Sequence, residues 1–199
     1  MKRYNVPRVA FINKLDRMGA NPTKVIRDLR SKLRLNAVAL QLPVGLEAAH
    51  EGIIDVVRQK QILFKGDNGE TIVESDVPAD KIDAVTEARR EIVERLADVD
   101  EDMEMHFLEE TMPEDAELVA AIRKATVARE LCPVFLGSAF KNKGVQALLD
   151  GVVTYLPNPT EVRNIALDRK NAEAEVVLAH DADKPLVALA FKLEESRFG

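Results

Sequence analysis

The stretch FINKLDR, residues 11–17, decides how this chain is read, because the apolar run Val9 to Ile12 passes without a break into Asn13-Lys14-Leu15-Asp16. In open α/β sheets ligands bind beyond the carboxyl ends of the strands, so polar residues placed directly after a buried strand can touch one. Working outward, the turn NKLDRMGAN leads to Asn21, which caps a helix that has Pro22 at its first position. Val25, Ile26, Leu29 and Leu33 fall on one face of that helix, and AVALQLP from Ala37 reads as a second strand. Strand, helix, strand is the unit of a parallel sheet.

After Pro43 the texture changes. GIIDVV, QILFKG and TIVES are short β-rich runs, the last two joined by Asp67-Asn68-Gly69, and they predict an antiparallel meander. Three helices follow: Pro78 to Ala97 with Ile82, Val85, Ile92, Val93 and Leu96 inward, a short acidic one over Glu101 to Glu110, and one from Pro113 to Leu131 with Leu118, Ile122 and Ala125 inward. PVFLGSA from Pro133 returns to a buried strand. Gly144 to Tyr155 makes an amphipathic helix with Val145, Leu148, Leu149 and Val152 as its stripe. Pro157-Asn158-Pro159 reads as a linker, continued by the polar segment Asn164 to Lys184, and PLVALAFKL reads as a last strand. The fold class expected is α/β: a partial parallel sheet carrying an α+β insert over residues 44–112.

Composition narrows the function. The 199 residues are 46% hydrophobic and 31% charged, ordinary for a folded globular chain. The single cysteine, Cys132, excludes an internal disulfide framework and a Cys-rich metal site. No apolar run approaches the ~20 residues of a membrane-spanning helix. Net charge is -6, yet residues 1 to 35 carry ten Lys or Arg against Asp16 and Asp28, while Asp98 to Glu117 holds ten carboxylates and no Lys or Arg. A basic start can mark a nucleic-acid footprint or a mitochondrial presequence. Pro7, the strand and the tight turn break any continuous amphipathic helix and argue against the presequence.

Two strand ends carry candidate binding residues: Asn13, Lys14 and Asp16 after the first, and Ser138, Ala139 and Phe140, with Gly137, after PVFL. A carboxylate offers two acceptor oxygens, and guanine offers two parallel donors, N1–H and the 2-amino group. Asp16 suits that edge. Adenine has neither donor there, so it would leave the carboxylate unpaired, at roughly 1.5–3 kcal/mol per charged hydrogen bond. The Lys14 stem can lie along the base plane with its ammonium in water. Asn13 can hold a base edge and a neighbouring loop together, and the Ala139 N–H is expected to be free for guanine O6. Taken alone, NKLD also reads as a polar turn before a helix; NKLD after one strand and GSA after another is a far more specific pair.

INKLDRMGANP, LPVGLE, GIIDVV, PVFLGSAFKNKGVQALLDGVVTYLPNP and LAFKLEESRFG resemble the elongation factor G family, the translocation GTPases of protein synthesis, and the last of them with MKRYNVP most resembles the mitochondrial type. The resemblance runs along nearly the whole chain. It implies that Asn13, Lys14 and Asp16 read guanine and that Ser138, Ala139 and Phe140 form the second base loop. It also implies that residues 1–43 and 113–157 are the C-terminal part of a GTP-binding domain, that 44–112 are its inserted subdomain, that 158–184 are a linker, and that 185–199 start the β-barrel second domain. Implied further are GTP or GDP as ligand, the ribosome as partner with tRNA and mRNA engaged indirectly, a stalk-protein contact through the insert, a monomeric state without membrane attachment, and a mitochondrial location, with the bacterial cytoplasm as alternative.

The family's phosphate loop, G-x-x-x-x-G-K-[ST], and its Asp-x-Pro-Gly-His switch motif do not occur in these residues, so no catalytic residue and no Mg²⁺ ligand is assigned here. The chain is accordingly expected to begin within a domain, with Met1 an internal methionine, and to be inactive alone. His50-Glu51 lacks the second histidine of a zinc motif, Ile54 standing in its place, and is expected in a surface turn; His106 and His180 are expected to face solvent. The acidic run reads first as a solvated face. Two other readings stay open: a non-catalytic ribosome- or stalk-binding module, and a basic RNA-binding helical protein using Lys24, Arg27, Arg30, Lys32 and Arg34.

Overall fold

A computed structural model describes residues 4–66 and 68–192. The chain divides into two units, residues 1–156 and 157–199.

In the first unit, three strands form a parallel sheet in the order β1, β7, β2: β1 is Ala10–Ile12, β2 is Ala37–Ala39 and β7 is Cys132–Leu136. Helix α1, Pro22–Ser31, makes the β1-to-β2 crossover. Asn21 caps it as its type predicts, its side-chain oxygen accepting the Lys24 N–H at 2.9 Å. Only Ile26 and Leu29 of the expected stripe pack inward; Val25 and Leu33 are exposed, and the helix stops before Leu33. β7 lies between its neighbours, and all five of its residues are buried.

AVALQLP is two strands rather than one. β2 ends at Ala39, the chain turns at Leu40, and β3, Gln41–Val44, joins a different sheet. That second sheet is antiparallel, in the order β3, β4, β5, β6, where β4 is Gly52–Asp55, β5 is Lys60–Lys65 and β6 is Thr71–Asp76. The meander expected after Pro43 therefore exists and starts at Gln41. Helices α2, Ile82–Ala97, α3, Glu101–Leu108, and α4, Asp115–Ala128, follow in sequence, and α5, Val145–Tyr155, comes after β7.

Two apolar clusters join these parts, one of them holding Ile12, Ala37, Val134 and Leu136 against Ile53, Ile62 and Phe64. In the other, Val38 and Leu40 at the end of β2 pack with Val56 and Val57 after β4, Ile92 and Leu96 of α2, Met103 of α3, Leu118 and Ile122 of α4, and Phe135 of β7. Residues 44–112 thus share their core with the parallel sheet. The buried Arg89 guanidinium ties the parts further, donating to the carbonyls of Val57 and Pro113 and to the Asp115 carboxylate. Ile82 of the α2 stripe and Leu149 and Val152 of the α5 stripe lie largely exposed. Cys132 is buried, free of any disulfide.

In the second unit the stretch expected as a linker carries regular structure. Asn158 opens a capping box over a 3-10 turn, Pro159–Glu161. The polar segment then folds into an antiparallel hairpin of β8, Asn164–Asp168, and β9, Ala174–Leu178. PLVALAFKL is not a strand over residues 185–192, and the rest of that run lies outside the described residues. No helix among the described residues is long and apolar enough to cross a membrane.

Candidate functional site: two loops at the carboxyl end of the parallel sheet

Because β1 and β7 are parallel neighbours in register, Ile12 opposite Leu136, both candidate loops leave the sheet at the same end and side by side. Two backbone bonds continue the ladder into them: Gly137 N–H donates to Ile12 O at 3.1 Å, and Leu15 N–H to Gly137 O at 3.1 Å. The second loop closes on itself through paired Ser138 and Lys143 backbone bonds of 2.8 and 3.0 Å. Gly144 ends it at a φ of 87°, where a Cβ would stand 2.4 Å from Leu136 O, so glycine is required there.

Side chains lock the loops together. Ser138, wholly buried, donates its hydroxyl to Asp16 Oδ1 at 2.6 Å. That bond is the main reason the Asp16 carboxyl sits below its ordinary range, with Arg17 and Lys141 adding weaker attraction. Asp16 is therefore an anion whose Oδ1 is oriented by Ser138 and whose Oδ2 lies 3.7 Å from Arg17 Nε. A carboxylate oxygen has lone pairs for more than one donor, so the acceptor edge stays available. Asn13 Oδ1 accepts the Ala139 N–H at 2.9 Å and the Lys14 N–H at 2.7 Å. This corrects one expectation: the Ala139 N–H is engaged by Asn13 rather than free. Lys14 is exposed at a φ of 65°, and Phe140 is 83% exposed with Lys141 Nζ 6.0 Å from its ring centre. All six predicted residues thus stand at one end of the sheet, five of them joined to another of the six by a hydrogen bond.

The sequence reading missed the residues that brace these loops from the antiparallel sheet. Gln41 is buried, and its Oε1 accepts the N–H of Leu136 at 2.9 Å. The segment between β3 and β4 reaches under the NKLD loop: Glu47 N–H donates to Leu15 O at 2.7 Å, and Glu47 Oε1 accepts the Gly19 N–H at 2.6 Å. Lys143 Nζ donates to the His50 carbonyl at 2.7 Å. His50 itself is 2% exposed, not in a surface turn; its Nδ1 lies 3.3 Å from Gly45 O, and burial pushes its basicity down. His106 also differs from expectation, since it contacts the Thr111 hydroxyl at 2.8 Å and the Glu117 carboxylate at 3.3 Å. His180 is exposed, as expected, 3.0 Å from Asn164 Nδ2. No cluster of three or more metal-ligating side chains occurs among the described residues.

A parallel sheet whose two adjacent strand ends present Asn-Lys-x-Asp and Ser-Ala is here part of a GTP-binding domain. The chain belongs to the elongation factor Tu GTP binding domain family, which it matches over residues 1–158, a family of translational GTP hydrolases. It is 55% identical over all 199 residues to the mitochondrial elongation factor G-1 of Arabidopsis thaliana, of which it spans 26%. A crystal structure of a protein from Thermus thermophilus superimposes with a TM-score of 0.69 at 28% identity, covering 83% of this chain and 25% of that one. The chain spans about a quarter of the length of both. The resemblance read from the motifs is borne out by these matches.

Proposed function

We propose that these residues form the guanine-reading and insert portion of a translation elongation factor that hydrolyses GTP on the ribosome and drives movement of tRNA and mRNA in mitochondrial protein synthesis. The observation that carries the reading is the locked pair of loops, in which Ser138 fixes the Asp16 carboxylate and Asn13 joins the second loop through Ala139. Asp16 takes the N1–H and 2-amino donors of guanine, Lys14 covers one face of the base, and Asn13 Nδ2 is left to meet the base edge. With the Ala139 N–H held by Asn13, guanine O6 is reached by that N–H only as a shared donor. The mitochondrial setting rests on the name of the Arabidopsis relative.

Phosphates, Mg²⁺ and the attacking water need groups that these residues do not contain, so catalysis belongs to the full-length family protein. The isolated 199 residues read only the base. A few contacts of roughly 0.5–3 kcal/mol each set against an association cost of about 4–15 kcal/mol give millimolar affinity or weaker.

The insert supplies a second surface for the same assembly. Glu101, Asp102 and Glu104 are exposed on α3, beside exposed Met105, Phe107 and Leu108. An acidic rim around apolar side chains suits a basic partner such as the ribosomal stalk protein. The RNA-binding reading is weaker, because Arg30 is spent on Ala37 O and Glu91, and Lys32 on Asp28.

The test is a chimera in which these 199 residues replace the matching stretch of the Arabidopsis relative. It is expected to bind GDP at least a hundredfold more tightly than ADP and to hydrolyse GTP in response to ribosomes. Equal binding of the two nucleotides overturns the reading.

A further inference from the structure

We infer that Glu47, in the segment between β3 and β4, is a positioning residue for guanine recognition, through which the antiparallel sheet sets where Asp16 stands. This rests on the base-reading role proposed above for Asp16. The loop from Asn13 to Gly19 is tied at three points. At its start Asn13 Oδ1 holds Ala139. In its middle Leu15, with its side chain 1% exposed, is clamped from both sides, its N–H donating to Gly137 O at 3.1 Å and its carbonyl accepting the Glu47 N–H at 2.7 Å. At its far end the Gly19 N–H is held by Glu47 Oε1 at 2.6 Å, the short distance of a charge-assisted bond. Glu47 alone thus makes two of the ties, one from its backbone and one from its side chain, on either side of Asp16.

The backbone at Glu47 has a φ of 58°, in the left-handed region that a non-glycine residue adopts at a cost. Glycine would adopt it without strain. A side chain kept at a strained position, exposed to solvent yet bonded to a base-loop amide 28 residues away in sequence, points to a role for the side chain itself rather than for the local turn. The contact also gives the insert a physical route to the nucleotide. Whatever shifts the β3 to β4 segment shifts both ties.

Glycine separates the two roles. In the chimera described above, Glu47→Gly removes the side-chain tie, relieves the backbone and keeps the Glu47 N–H bond to Leu15. The expected outcome is an unchanged or raised melting temperature with GDP binding weakened about three- to tenfold. Binding of IDP, whose base lacks the 2-amino group that Asp16 takes, is expected to change less, so that the GDP-to-IDP preference falls toward that of Asp16→Ala. Glu47→Gln, which still offers an acceptor to Gly19, is expected to recover most of the preference. If Glu47→Gly weakens GDP and IDP equally, or lowers melting temperature and affinity together, or leaves GDP binding unchanged, Glu47 is structural only and the inference fails. If instead Asp16→Ala leaves the GDP-to-IDP preference intact, the base-reading assignment fails first.

Discussion

Ser138→Ala deletes one hydroxyl at the centre of the site and leaves its frame in place, because the Ser138 and Lys143 bonds that close the loop are backbone bonds. What is lost is the 2.6 Å donation to Asp16 Oδ1 and a weaker 3.4 Å contact from the Lys141 N–H. A hydrogen bond to a charged acceptor contributes about 1.5–3 kcal/mol. The Asp16 side chain is 14% exposed, so water can re-solvate part of the carboxylate and the lower end applies, about 1.5–2 kcal/mol. The pH dependence follows from the depressed Asp16 value. A carboxyl whose folded pKa lies below its ordinary 3.8 adds stability that is fully present above that value and is lost as pH falls through the folded pKa. The cost of Ser138→Ala is therefore expected to be largest at pH 6–7 and to fall below about 1 kcal/mol once Asp16 is protonated, where only a neutral bond is at stake. Urea unfolding followed by tyrosine fluorescence measures it, since Tyr4 and Tyr155 both lie in the unit that holds the site. A loss that is the same at pH 7 and at acid pH, or an Asp16 pKa unmoved in a carboxyl NMR titration of the variant, refutes the proposed bond.

Gly151→Ala is expected to destabilise the first unit by about 1–3 kcal/mol despite alanine's better helix propensity, because the new Cβ would stand 2.1 Å from Phe135 Cζ; denaturant unfolding checks it. Replacing Arg89 by Met leaves the buried carbonyls of Val57 and Pro113 without a donor, and a loss of about 2–4 kcal/mol in the same assay is expected. Changing Glu101, Asp102 and Glu104 together to Lys is expected to slow association with a basic stalk-protein domain several-fold at low salt, with the difference shrinking as salt rises. An unchanged on-rate at low salt would leave α3 as a solubility feature only.

The two strand-end loops were legible as loops because their signals are local: an apolar strand, a polar strand end, and Asn21-Pro22 to start the next helix. The division of AVALQLP was not, since periodicity reports an apolar run and says nothing of which sheet each half joins. The β8–β9 hairpin hid for a different reason. Its turn places Ala172 and Glu173 at φ of 51° and 58° in place of the usual Gly or Asn, and its strands are mostly exposed, so neither turn chemistry nor alternation announces it. The PLVALAFKL run carried strand-like composition without a partner strand, and composition alone did not make it one over residues 185–192. His50 and Glu47 owe their importance to contacts with residues far along the chain, Lys143 and Gly19, which no short window contains. The engagement of the Ala139 N–H by Asn13 spans 126 residues and is likewise a product of β1 and β7 being neighbours.

That Asp16 reads the guanine edge is tested most directly by competition between GTP and XTP for the chimera and its Asp16→Asn variant. Asparagine replaces one of the two acceptors by an amide donor, which clashes with the 2-amino group of guanine and suits the 2-oxo group of xanthine. The account predicts that GTP outcompetes XTP for the unaltered site and that the order reverses in the variant, with each affinity moving tenfold or more. A variant that keeps the GTP preference of the unaltered site would show that Asp16 does not face the base.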